Sequence, residues 1–374
     1  SEATKKCKEL WNAVADAPDD HPYLKKKGVK PYGIKLHQSN NNLIIPVLSS
    51  GKTSSLQSIK ESGKKSFFPN GKVSGGYHLL GDVGPLVLVC EGYATGASLY
   101  EATGIPTVLA FNAGNLPKVA KELKKEYPDT NFIICADNDK WTSGNPGRTK
   151  AKEAAKVCSG IVAYPKFKQP EIDKHGKLTD WNDYHQIYGL NAVLKSLKPK
   201  IKKVQRNRSL FSDITDLTKN ISAPDYLIDG LVELDTIGAI IGASSTCKSF
   251  VAISMASSVA TGTIFAEKTV QQGAVLYLPG EGMNGISRRF SGWEKHTGFK
   301  IPKGSIHVSH KTISMDDKGA ATLLAATEDM DQDIKLVIID TLARHMTGEE
   351  NSNRDMSAFI TAVDTIREEH GCAA

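Results

Sequence analysis

Residues 86–116 read LVLVCEGYATGASLYEATGIPTVLAFNAGNL. Leu86 to Cys90 form one unbroken apolar run, which suits a strand buried on both faces and is too short for a helix. The small residues from Tyr93 to Ala102 then suit a helix, and Thr107–Phe111 is a second apolar run. The rhythm continues outward with a helical stretch from about Leu116 to Glu126, a strand at Phe132–Ala136, a helix from about Gly147 to Cys158 and a strand at Ile161–Ala163. Apolar strands alternating with helices indicate a parallel α/β sheet.

On either side the texture changes. Residues 1–85 are polar and Gly/Ser-rich, with strand candidates at Leu43–Leu48 and Ser54–Ile59 and turn signals at Ser50-Gly51, Asn70-Gly71 and Gly75-Gly76. They read as a small, β-rich, lysine-studded module. Downstream, KPKIKKVQRNR at 198–208 breaks the pattern, and Ser222-Ala223-Pro224 precedes the next folded unit. The β-α rhythm then resumes with Thr236–Ile241, a helix from Ser249 to Ala260, Ala274–Leu278 and Leu336–Ile339. The expected division is a basic N-terminal subdomain (1–85), an α/β catalytic domain (86–197), a basic linker (198–223) and a second α/β domain (224–374).

Composition bounds the function. A chain of 374 residues is comfortable for two or three domains. No apolar stretch is long enough for a membrane helix and no signal-peptide pattern opens the chain, so a cytosolic protein is expected. Cys7, Cys90, Cys135, Cys158, Cys247 and Cys372 include no Cys-x-x-Cys pair. That spacing argues against a disulfide framework and against a zinc ribbon. Residues 1–85 hold 13 Lys/Arg against 7 Asp/Glu, and 198–208 hold 6 against none, whereas 209–374 hold 14 against 22. Basic segments in the first part and at the junction fit contact with a phosphate backbone, with solubilising surface lysines as the alternative.

Gly242 to Ser249 read GASSTCKS between an apolar run and a helix, the P-loop pattern with Cys247 in place of its second glycine. Backbone N–H groups at a helix N-terminus would curl around phosphates, so Gly242, Ser244, Ser245, Thr246, Cys247, Lys248 and Ser249 are the expected nucleotide-binding residues. Lys248 would meet the β/γ-phosphates of ATP and Ser249 would ligate Mg2+. LVIID at 336–340 ends in Asp340, which suits a Walker B carboxylate. Glu281, just past the apolar run Ala274–Leu278, is the expected general base for an attacking water. A Gly/Ser turn between strand and helix is the plainer reading of the loop alone; LVIID tells against it.

A second constellation is Glu91-Gly92 after LVLVC and Asp137-Asn138-Asp139 after FIICA. Carboxylates at the ends of two strands repel one another unless divalent cations sit between them, and Mg2+ or Mn2+ is the expected occupant. Such a site supports in-line phosphoryl transfer.

Two resemblances follow from these residues. The stretch 225–374, with its P-loop, LVIID and the segments Tyr277–Arg289 and Ile339–Met346, resembles RecA-like ATPases of the RepA/DnaB replicative-helicase type. The order and context of Glu91, Asp137 and Asp139 resemble the Toprim fold of DnaG-type primases, topoisomerases and related nucleases. EGYATGASLYEATGIPTVLAFNAGNL and ADNDKWTSGNPGRTKAKEAA are especially similar to phage and plasmid primases. The resemblance implies a DNA primase coupled to an ATP-dependent helicase module, acting in the cytoplasm of a prokaryotic host of a phage, prophage or plasmid. Glu91 is then the catalytic acid/base or metal-organising carboxylate, Asp137 and Asp139 are metal ligands, and Asp180 and Asp183 in DWND support that edge. Lys64 and Lys65 in GKKSFFPNGKVSGG are expected to meet nucleotide or template, and Lys150 a phosphate. Lys200, Lys202 and Lys203 of the basic run complete the expected nucleic-acid contacts.

Implied partners are single-stranded DNA, ribonucleotides and other replication proteins, with a hexameric full-length form and no membrane. A RecA-like core is expected to carry further strands and an arginine finger beyond the helix after LVIID, so 1–374 reads as a fragment. A Toprim nuclease with an ATPase domain, and a non-catalytic DNA-binding or loader protein, are the alternatives.

Overall fold

The computed structural model describes residues 2–167, 169–206, 211, 214–219, 223–243, 245–280, 282–328, 330 and 332–374. The chain divides into two compact units, 1–205 and 206–374.

The first unit opens with α1 (Glu2–Ala13), β1 (Ala15–Asp16), α2 (Pro22–Lys27), β2 (Lys35–His37), β3 (Asn42–Ser49), β4 (Lys52–Ile59) and β5 (Lys65–Phe67). The five strands form one antiparallel sheet in sequence order. β3 and β4 meet through Ser50 and Gly51, both at positive φ (49° and 70°), the two-residue turn whose twist matches a hairpin. Helix α1 closes one face through Cys7, Leu10 and Trp11 against Ile44 and Leu56.

Next come β6 (His78–Leu80), β7 (Leu86–Cys90), α3 (Tyr93–Thr103), β8 (Thr107–Leu109), α4 (Leu116–Glu126), β9 (Asn131–Cys135), α5 (Pro146–Cys158), β10 (Ile161–Ala163), α6 (Gln169–His175), α7 (Trp181–Tyr188) and α8 (Leu190–Arg206). Their sheet has the order β10-β9-β7-β8-β6, parallel except for β6. Side-chain alternation splits the strands between two cores. Val87, Val89, Phe132 and Ile134 face α4 and α5. Leu88, Cys90, Ile133 and Cys135 face α3, α7 and α8, sharing that core with Leu43, Ile45 and Ile59 of the first sheet. Residues 1–85 are thus built into the unit that carries the second sheet.

The basic run differs from its expected form. Residues 198–206 continue α8 as helix, with Pro199 inside it. Proline removes one backbone N–H and crowds the preceding turn. Val193, Leu197 and Val204, on one helical face and buried in the core, hold the helix through it.

The second unit contains α9 (Ile214–Lys219), β11 (Tyr226–Ile228), β12 (Val232–Glu233), α10 (Lys248–Thr261), β13 (Ala274–Pro279), α11 (Met283–Thr297), β14 (Ile306–Val308), α12 (Asp317–Thr327), β15 (Ile334–Asp340), α13 (Leu342–His345) and α14 (Asn353–His370). β14-β13-β15 is a parallel sheet. α10 packs on one face through Ile253, Ala256 and Val259, and α12 and α14 pack on the other through Leu323, Val363 and Ile366.

The strand expected at Thr236–Ile241 does not form. Gly238 N–H donates to Ala374 O (2.8 Å) and Thr236 O accepts from Ala374 N–H (3.0 Å), but this pairing does not grow into a ladder. Ile241 is accordingly 92% exposed. No described helix is long and apolar enough to cross a membrane.

Candidate active sites

Strands β7 and β9 are parallel neighbours, with Val89 opposite Ile134. Glu91 therefore leaves the sheet level with Ala136, one residue before Asp137. Glu91 Oε1 and Asp137 Oδ1 are both buried without a hydrogen-bond partner. Burial, then the charges of Asp139 and Asp180, push Glu91 up to about 7, against the opposing pull of Lys65 and the Ala113 backbone. Asp137 is held well above the usual carboxylate range by burial first, then by Glu91, Asp180 and Asp139.

The remaining acids are anchored. Asp139 Oδ2 accepts from Gly147 N–H at 3.2 Å. A Cβ on Gly147 would stand 2.5 Å from Asp137 O, so only glycine lets α5 start this close to the acidic edge. Asp180 caps α7 by accepting from Asp183 N–H (2.8 Å), and Asp183 Oδ2 accepts in turn from the N–H groups of Thr179 and Asp180 (3.0 and 3.3 Å). Asp183 is thus committed to the capping box, whereas Asp180 also adds charge at the edge. Asn138, which the sequence did not single out, ties the loop down by donating its N–H to Thr179 O (2.7 Å) and its Nδ2 to Pro165 O (3.2 Å).

Among the described residues no three acidic, histidine or cysteine side chains are arranged so that together they could hold a metal ion. Two orphaned carboxylate oxygens on adjacent strand ends still suit a hard divalent cation that takes its other ligands from water or a phosphate. Glu91 and Asp137 are the residues that would hold it, with Asp139 alongside.

The basic residues fall into separate groups. Lys65 Nζ lies 3.2 Å from where a Cβ on Gly92 would be, over the Glu91-Gly92 turn. Lys64 is exposed on the turn before β5. Lys150 pairs with Glu153 at 2.8 Å. Lys200, Lys202 and Lys203 lie on α8.

In the second unit Lys248 Nζ curls back over the P-loop, donating to Gly242 O (2.9 Å) and Ala243 O (2.8 Å). Thr246 Oγ1 donates to Ala243 O as well (2.8 Å). Cys247 caps α10 with φ 61° and ψ 20°, the left-handed conformation that favours the glycine it replaces. Ser245 also has positive φ (63°). Ser249 Oγ donates to Asp340 Oδ1 at 3.1 Å, and Tyr277 OH donates to Asp340 Oδ2 at 2.6 Å. A hydroxyl and a carboxylate at a phosphate loop fit Mg2+. The sequence did not single out Tyr277; a lone hydroxyl in the apolar run AVLYLP was the signal. Ser244 and Glu281 lie outside the described residues.

Comparisons with known proteins match both parts of the chain. The family model described as Toprim domain matches residues 86–190, and the one described as AAA domain matches 203–374. Two Escherichia coli proteins named DNA primase TraC are 39% identical over 157 residues and 38% identical over 161. These matches cover 39% and 40% of this chain, which spans only 15% and 11% of the relatives' own length. A solved structure of bacteriophage T7 lagging-strand DNA polymerase with primase domains overlaps 50% of this chain and 91% of that one, at TM-score 0.36 and 15% identity. The Aquifex aeolicus primase overlaps 55% and 64%, at TM-score 0.33 and 14% identity. This chain therefore joins a Toprim domain to a RecA-like AAA domain, and over about two-fifths of its length it is similar to proteins named DNA primase TraC.

Proposed function

We propose that the chain synthesises primers on single-stranded DNA, joining nucleotides at the acidic edge of its Toprim domain, and that its AAA domain couples ATP to movement on DNA as a replicative helicase module. The observation that carries this is the pair of buried, partnerless oxygens of Glu91 and Asp137 at adjacent strand ends, with Lys65 above them. Mg2+ or Mn2+ bound there would neutralise carboxylates and triphosphate and align the attacking hydroxyl. Glu91 serves as the acid/base or metal-organising carboxylate, with Asp137 and Asp139 as ligands.

Lys65 meets the nucleotide's phosphates. Lys64, Lys150, Lys200, Lys202 and Lys203 contact the backbone of the template. In the AAA domain Lys248 turns from the loop carbonyls to the phosphates of ATP, and Ser249 and Asp340 hold its Mg2+. Glu281 orients the water. Other replication proteins are the expected partners, a hexamer the expected form of the whole protein, and the cytoplasm of a phage- or plasmid-bearing prokaryote its place of action.

The test is template-dependent incorporation of labelled ribonucleotides on single-stranded DNA with Mg2+ or Mn2+. Short products, lost in Glu91→Gln and Asp137→Asn, support the reading. Cleavage of the template would instead identify a nuclease, and neither activity would overturn the assignment of catalysis to this edge.

A further inference from the structure

Trp141 is 44% exposed, although indole is among the side chains most favoured by burial. It follows Asp139 by two residues, and two residues span at most ~7 Å. The loop that carries it is held at several points. Lys140 N–H donates to Asn138 O (2.8 Å), Thr142 N–H to Asp139 O (2.8 Å) and Asn145 N–H to Thr142 O (3.0 Å). Asn145 Nδ2 donates to Asn138 Oδ1 (2.9 Å), and Asp139 Oδ2 takes the Gly147 N–H (3.2 Å). The backbone that carries the indole is therefore tethered within two residues of Asp139. Lys140 Nζ stands 5.1 Å from its ring centroid, which places a positive charge at the ring.

An exposed aromatic ring with a cation at its face, on a tethered loop, is what a nucleobase stacks on. An apolar protein partner would be poorly served by it. Residues 140–149 read KWTSGNPGRT, where Trp141 is the one large apolar side chain. We infer that Trp141 is a stacking platform for a nucleobase brought to the acidic edge, supplied either by the incoming nucleoside triphosphate or by the single-stranded template. The inference rests on the proposed primase reading. Its signature is dependence on the base rather than on the phosphate backbone.

The experiment uses the whole chain and Trp141→Ala, with Trp141→Phe as the conservative variant. Three probes are titrated in Mg2+: an oligothymidylate, an abasic oligonucleotide of equal length, and a non-hydrolysable ribonucleoside triphosphate. Trp141→Ala should weaken one base-bearing probe by about tenfold while leaving the abasic strand unchanged, and Trp141→Phe should retain most of the affinity. Loss confined to the oligothymidylate assigns the template base, and loss confined to the triphosphate assigns the incoming base. Equal binding of all three probes by parent and Trp141→Ala would overturn the inference, as would a loss that extends equally to the abasic strand. Glu91→Gln separates the two levels. If it abolishes synthesis while Trp141→Ala changes no affinity, the stacking inference fails alone; if Glu91→Gln synthesises normally, the acidic-edge reading has failed.

Discussion

The Tyr277 hydroxyl donates a 2.6 Å hydrogen bond to Oδ2 of Asp340, leaving Oδ1 to Ser249 at 3.1 Å. Tyr277 is fully buried on β13, next to β15, and its ring packs edge-on against Phe290 at 5.7 Å. The hydroxyl thus fixes how the carboxylate faces the P-loop. Tyr277→Phe keeps the ring and removes one hydrogen bond to a charged group, worth about 1.5–3 kcal/mol. ATP affinity in Mg2+ is expected to fall about tenfold, with affinity in EDTA nearly unchanged, as read by calorimetric titration. An equal loss in both conditions would place the effect in folding of the loop instead.

Cys247 gives a prediction of opposite sign. A non-glycine residue in the left-handed region costs ~1–2 kcal/mol, and Cys247 sits there at φ 61°. Cys247→Gly relieves that cost, partly offset by the freedom glycine has in the unfolded chain. The AAA domain is expected to gain about 0.5–1 kcal/mol and to bind nucleotide at least as tightly. Cys247→Val should lose both, because a β-branched side chain tolerates this conformation least. Thermal unfolding with and without ATP checks the pair.

The acidic edge predicts a trade between stability and cation binding. Glu91 and Asp137 are buried near like charges without partners for one oxygen each. Glu91→Gln or Asp137→Asn should therefore raise stability in EDTA by about 1–3 kcal/mol. Mg2+ or Mn2+ should stabilise the parent, because a ligand bound only by the native state adds to stability. The same ions should stabilise the variants much less. Unfolding midpoints across a divalent titration measure this, and variants as fragile in EDTA as the parent would count against the site.

These residues also show what the sequence could and could not carry. LVLVC and FIICA were legible because five apolar residues buried on both faces leave one assignment, and the acids follow the strand ends directly. The P-loop was legible from spacing alone. The Tyr277–Asp340 bond was not, because it joins residues 63 positions apart through sheet register. Thr236–Ile241 failed because an apolar run becomes a strand only where a neighbour supplies a ladder, and local composition is silent on that. The run at 198–206 is the opposite case: composition marks its charges, whereas the burial of Val193, Leu197 and Val204 carries α8 through Pro199.

His78, on β6, supplies the pH dependence. Its ring is buried, Nε2 lies 3.2 Å from Tyr32 O, and Nδ1 has no partner. The ring is therefore neutral, with its proton on Nε2. Burial lowers its pKa to about 4, and the bond to Tyr32 opposes this only in part. The unfolded chain takes up a proton near the ordinary histidine value of ~6.5, which the folded chain refuses until about pH 4. Stability is thus complete above the unfolded value. It falls by ~1.4 kcal/mol per pH unit as pH drops through this window, and the loss is fully developed below the folded value. His78→Leu cannot titrate, but it leaves Tyr32 O without its donor, a cost of ~1 kcal/mol at neutral pH. The variant should be the less stable protein at pH 7 and the more stable one near pH 4.5, with a crossover between. Urea unfolding of the two proteins at half-unit pH steps locates that crossover. A stability gap that stays constant from pH 7 to 4.5 would show that His78 is not excluding a proton from the folded state.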